Sequence, residues 1–304
     1  MSELSLTATP AAGLQTIEER TRKGAQARSW HRRLRRDRVA MGAAIVLLIF
    51  VALALLAPVL DLADPIKTNP RNKTLPLFTS GHFLGTDQVG RDILSRLIWG
   101  ARTTLMLGVS AAAFSTMVGL ALGLTAGYFG RWVDSVIMRS IDVLLSFPSI
   151  LLAIIIVATL GPSLTNALIA IAILGVPFYV RLVRAEVLRM RNMEFVLAAQ
   201  TAGATNRRIV LRHIMPNVVA PMIVTASIPV GFRILEAGGL SFLGLGAQPP
   251  SPEWGAMVAS GRNQLLLAPH VVLVPSAAIF VVVLAFNLLG DGLRDALDPR
   301  SNRG

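Results

Sequence analysis

The sequence predicts an all-α integral membrane protein with six transmembrane helices, and three observations carry the prediction. Of 304 residues, 53% are hydrophobic and only 15% charged, against roughly a quarter charged in a water-soluble domain. The apolar residues are gathered into long uncharged runs, each able to cross about 30 Å of hydrocarbon as a helix. The basic residues lie between those runs and are unequally divided between alternate loops, the asymmetry that orients membrane proteins.

Residues 1–38 form a polar, arginine-rich tail whose end, Arg35-Arg36-Asp37-Arg38, suits anionic headgroups. Residues 39–60 hold no charge and make the first span. A cleaved signal peptide is the alternative for this stretch, but both the preceding region and the apolar core are too long for one. Residues 61–101 are a loop with Pro65, Pro70 and Pro76. From Gln88 its pattern is helical, with Val89, Ile93, Leu97 and Trp99 set against Arg91, Asp92, Ser95 and Arg96. That predicts a helix lying in the membrane interface before the chain turns inward.

Residues 102–291 supply five further helices. Residues 103–130 are uncharged, and Gly108, Ala111, Ala112, Gly119 and Gly123 allow close approach of a neighbouring helix. A short charged turn is expected over 131–142. Residues 143–180 hold 38 residues without a charge, too many for one span, and Gly161-Pro162-Ser163 divides them into two. A fifth span runs from about Pro216 past Pro229 to Glu236. Residues 238–255, broken by glycine and proline, predict a short re-entrant piece and a surface loop. The sixth span covers 271–290, and residues 292–304 are a polar tail.

With six spans, both termini share a side. That side carries 21 Lys and Arg, and the opposite loops carry 7, so the positive-inside rule makes the richer side cytoplasmic. The net charge of +12 is therefore explained by topology. A nucleic-acid surface would gather its arginines with stacking aromatics, and here they are dispersed between spans. There is no cysteine, which removes disulfides and thiolate metal sites.

Active transport needs energy, and no source is encoded. The only lysines are Lys23, Lys67 and Lys73, none following a glycine, so the P-loop signature is absent. The four histidines are scattered and no H-E-x-x-H or G-x-S-x-G occurs. No catalytic, cofactor or metal site is expected in this chain. Energy must come from a partner or from an ion gradient.

The longest polar interruption in the second half, Glu194 to Pro221, is built as helix, hinge and helix. Glu194 to Ala202 are helix formers, Gly203 suits a left-handed C-terminal position, and Thr205 or Asn206 can cap a second helix running toward Pro216. Small residues at Ala198, Ala199, Gly203 and Ala204 leave room for a docking partner, with Glu194 and Arg207 as flanking charges. An ordinary polar loop is the plainer reading.

These residues resemble the E-A-A-x3-G-x9-I-x-L-P loop of bacterial ATP-binding-cassette (ABC) importer permeases, with Leu197, His213 and Met215 departing from it. GTDQVGRDILSRLIWGAR (85–102), LSFLGLGAQPPSPEWG (240–255) and AFNLLGDGLRDALDP (285–299) resemble the dipeptide, oligopeptide and nickel importers in the same order. The likeness is to the C-type member of their two paired permeases. It implies a type I importer permease fold in the bacterial inner membrane, both termini cytoplasmic, with residues 186–215 as the coupling loop. It also implies partners: a homologous permease, two ATPase subunits that bind ATP and magnesium, an extracytoplasmic binding protein and membrane lipid. An ion-coupled secondary transporter is the alternative. Such a carrier would place a carboxylate mid-span, whereas Asp134, Asp142, Glu236 and Asp291 read as lying near helix ends.

Arg233 and Glu236, three residues apart, share one helical face. Counted from Pro216, they stand about 26 and 30 Å along the axis, at the outer edge of the hydrocarbon. Either they anchor that edge or they line a gate of the translocation path.

Overall fold

The computed structural model describes residues 32–227 and 229–297, whose named elements are all helices, with no named strand. The predicted basic tail, residues 1–31 in particular, and residues 298–304 lie outside the described residues. Helix α1 (Arg38–Leu56) starts where the Asp37 carboxylate accepts the amides of Val39 and Ala40, satisfying two of the free N–H groups at a helix start.

Helix α2 (Ile93–Phe129) is capped by Asp92, whose Oδ1 accepts from Ser95 N at 2.7 Å. It runs unbroken for 37 residues, about 55 Å. The expected interfacial helix followed by an inward turn is therefore wrong. Its apparent water-facing residues, Arg91, Asp92, Ser95 and Arg96, are buried against the 61–92 loop. A polar stripe on a helix signals polar surroundings, and here those are loop carbonyls and the side chains of Asp87 and His82 rather than water.

A second correction follows at once. Residues 131–142 are not a turn but the start of α3 (Arg131–Leu145), which meets α4 (Ser149–Leu160) at 93°. Pro148, with no N–H to donate, sits at that bend. Gly161 then takes φ +93° and Ser163 caps α5 (Leu164–Arg191), so the predicted division at 161–163 holds. Two ion pairs fasten α3 to α5: Arg184 grips Asp134 at 2.5 and 2.6 Å, and Arg181 meets Asp142 at 2.7 Å.

Helices α2 and α5 form the central seam. Gly119, Gly123 and Gly127, at four-residue spacing, face Tyr179, Val183 and Val187. A Cβ added at these glycines would fall 2.3, 2.6 and 2.7 Å from the opposing Cβ atoms. Without a hydrophobic drive between helices in lipid, such close backbone approach is what holds them together. Ser115 continues the row, donating to Ala172 O across the seam at 2.6 Å.

After α6 (Glu194–Thr201), a helical turn at Asn206–Arg208 opens into a π-helical stretch, Ile209–Ile214, and then α7 (Met215–Ser227). The fifth expected span falls on α7 and α8 (Pro229–Phe242), which lie either side of residue 228, itself outside the described residues. Helix α8 continues through Gly238 and Gly239, so the glycine-rich stretch is helical for its first part. A non-helical segment then leads to α9 (Trp254–Gly261), and α10 (His270–Leu297) ends the described chain. Among the described residues four helices, α1, α2, α5 and α10, are each long and apolar enough to span a membrane, and the bent α3–α4 pair makes up to five.

Candidate functional site

The loop between α5 and α7 is a packed unit rather than a flexible connector. Val196, Ile209 and Ile214 are fully buried and share a core with Tyr128, Val187 and Met190. Gly203 takes φ +76°, its amide donating to Gln200 O and that of Ala204 to Ala199 O, both at 3.0 Å. This pair of bonds closes α6 with a Schellman motif, which places Gly203 in the left-handed position. Of the two candidate caps for the next turn, Thr205 does the work, accepting from Arg208 N. Asn206 instead accepts from the Tyr128 hydroxyl at 2.8 Å, tying the loop to the end of α2.

The outward face carries the rest of the candidate residues. Glu194, Ala198, Gly203, Arg207 and Pro216 are exposed, and Ala199 and Ala204 are half-buried. Sequence reasoning did not single out Phe195, Leu197 and Leu211, which are 41%, 47% and 45% exposed on the same unit. Phe195 and Leu197 stand immediately beside the buried Val196, and Leu211 two residues from the buried Ile209, so apolar residues occur on both faces and no periodic signal separates them. Pro216 also explains the π-helical stretch: its ring crowds the carbonyl four residues back, and the wider turn lets Asn217 Nδ2 reach His213 O at 2.6 Å.

Arg233 and Glu236 do form a pair, Nη1 to Oε2 at 2.6 Å, but not at the hydrocarbon edge. Arg233 Nη1 also donates to Ile171 O at 3.4 Å, and a Cβ on Gly175 would lie 3.6 Å from its Cζ. Residues 171–175 and their neighbour Ser115 sit at the centres of the uncharged stretches of α5 and α2. The pair is therefore at mid-membrane depth. The count from Pro216 failed because α5 extends through 181–191, some 16 Å beyond its uncharged stretch. Val218 and Met222 line a small cavity with Val183 and Glu186, so α7 begins well outside the hydrocarbon.

The pair is incompletely satisfied. The Arg233 side chain is 13% and that of Glu236 28% exposed, and Arg233 Nε is buried without a partner among the described residues. The hydroxyls of Tyr179 and Thr116 are neighbours in the same region, and neither completes a well-formed hydrogen bond.

At the opposite end of the bundle, the 85–102 and 240–255 motifs meet. Arg96 donates to Pro65 O, Pro250 O and Ser251 O at 2.7, 3.2 and 3.1 Å. Trp254 Nε1 donates to Leu97 O at 2.9 Å, and Thr104 stands between Glu253 and the Trp254 amide. Glu253 is wholly buried and caps α9 through Gly255 N and Ala256 N. Burial pushes its carboxyl above the ordinary value, while these amides and the Ser241 and Thr104 hydroxyls oppose the rise. Asp87 gathers the Val89 and Arg91 amides and the Arg91 guanidinium. Sequence reasoning saw these strings only as a likeness; their role is to clasp the two loops to α2.

The chain belongs to the family described as the inner membrane component of binding-protein-dependent transport systems, matched over residues 119–303. The N-terminal TM domain of oligopeptide transport permease C matches residues 26–76. The dipeptide transport system permease protein DppC of Alkalihalophilus pseudofirmus is 47% identical over 88% of both chains. The glutathione transport system permease protein GsiD of Pectobacterium atrosepticum is 43% identical over 90% of this chain and 91% of that one. The inward-facing MetNI methionine ABC transporter superposes with a TM-score of 0.53 over 67% of this chain and 97% of that one, at 19% identity. It shares the fold. The ABC-importer permease assignment therefore holds, and the ion-coupled carrier falls away despite the mid-membrane depth of Glu236.

Proposed function

We propose that this chain forms half of the transmembrane path of an ATP-driven importer for peptides or related small solutes, glutathione among them. The observation that carries the coupling role is the rigid loop with two faces. Val196, Ile209 and Ile214 lock it to α2 and α5, while Phe195, Leu197, Leu211 and the small residues around Gly203 stand free. Force applied to that outer face passes into the α2–α5 seam, because packed cores shift as units. The partner is a cytoplasmic ATPase dimer that binds ATP and magnesium, and a homologous permease supplies the other half of the path. A binding protein delivers solute from outside. The positive-inside asymmetry supports placing the loop in the cytoplasm.

Arg233 and Glu236 face that path in this reading. A charge with unfilled donors at mid-membrane is costly, which supports a role in meeting the ionised ends of a solute. The test is uptake by proteoliposomes holding the complete complex. Accumulation should require ATP inside and binding protein outside, and should survive collapse of ion gradients. Uptake that follows the gradient and ignores ATP would refute the proposal.

A further inference from the structure

We propose that the cavity between the end of α1, the first turns of α2 within the membrane and the start of α5 holds a phospholipid with a primary-ammonium headgroup. The cavity measures about 790 Å³, within the usual range for small-ligand sites. Leu62, Trp99, Met106, Leu107 and Leu168 contribute to walls that are mostly apolar, and two charges share them: Asp64 and Arg102.

Those charges mark the headgroup level. Arg102 immediately precedes the 103–130 uncharged run, and Asp64 follows the 39–60 run by four residues. They do not pair with each other. Asp64 Oδ1 accepts from Ile66 N at 2.8 Å, and its second oxygen has no partner among the described residues. The Arg102 guanidinium has no partner among the described residues. One cavity thus presents a lone cation and a lone anion at the water boundary, above walls that go apolar with depth. A phosphate on Arg102, an ammonium at Asp64 and an acyl chain along Met106, Leu107 and Leu168 match that order. The mouth favours lipid over a water-soluble solute, since Met106 is 65% and Leu60 38% exposed there. Trp99 sits at the same level, where amphipathic rings prefer the interface. The inference does not depend on the transport reading.

Native mass spectrometry tests it on the intact complex, extracted from vesicles of palmitoyl-oleoyl phosphatidylethanolamine and phosphatidylglycerol in equal parts. The native chain should retain the ethanolamine lipid over the glycerol lipid by about fivefold, as one interfacial ion pair supplies. Arg102→Gln should lose both lipids. Asp64→Asn should keep lipid but lose the preference, because only the ammonium contact is gone. Met106→Trp, which fills the mouth and leaves both charges, should expel lipid and decides the matter if a charge variant fails to fold. Three results overturn the proposal: no retained lipid in the native chain, retention indifferent to all three changes, or displacement by millimolar dialanine, which would mark a solute site.

Discussion

The guanidinium of Arg96 reaches the carbonyl of Ser251 at 3.1 Å across 155 residues of chain. Neighbouring bonds to Pro65 and Pro250 make this side chain the tie between both loops and the top of α2. Arg96→Ala should lower stability by on the order of 3 kcal/mol, since charge-assisted bonds contribute about 1.5–3 each and the loss is not additive. Thermal unfolding in detergent, with limited proteolysis of the 61–92 loop, measures it. An unchanged melting temperature and cleavage pattern would show the tie to be idle.

Gly203 has φ +76° and open space where a Cβ would stand, so only backbone conformation restricts it. Gly203→Asn should be tolerated because Asn enters the left-handed region readily. Gly203→Val should add roughly 1–2 kcal/mol of strain and uncouple transport while membrane insertion stays normal. Equal uptake by the two variants would remove the hinge from the mechanism.

The α2–α5 seam predicts a different failure. At Gly123 an added Cβ lies 2.6 Å from Val183 Cβ and 2.9 Å from Val180 O, and neither can move far. Gly123→Val should cost at least the 1–3 kcal/mol typical of overpacking and lower the yield of folded protein. Gly42→Val, where nothing lies within 4 Å, is the control.

The Arg233–Glu236 pair separates anchoring from gating by substitution. Glu236→Gln leaves a cation unpaired inside the bundle, which costs about 3–5 kcal/mol in buried pairs. Adding Arg233→Gln removes that charge. Uptake should fall more in the single variant than in the double. Near-native uptake by both at matched protein levels would exclude the pair from the path.

The orientation is open to a direct check. Reporter fusions after Ala63, Thr165 and Gln248 should read as outside, and those after Arg131, Gln200 and Ser301 as inside. A fusion at Gln200 reading as outside would end the coupling proposal.

By itself, the sequence determined the class. Uncharged runs, the division at Gly161-Pro162-Ser163, the left-handed Gly203 and the small residues at Gly119 and Gly123 are local or periodic signals. Each follows from chain geometry near that residue. The tertiary structure decided everything that depends on what a side chain faces. Arg91, Asp92 and Arg96 read as a wet stripe because their partners, Asp87, His82 and the carbonyls of Pro65, Pro250 and Ser251, lie in loops whose approach leaves no periodic mark in a sequence. Asp134 and Asp142 read as part of a turn because Arg184 and Arg181 that neutralise them lie on another helix. The depth of Arg233 was misjudged because the start of a helix in sequence says nothing of where the membrane begins. Distance along one helix is written in the chain, but the level of one helix against another is set only by packing.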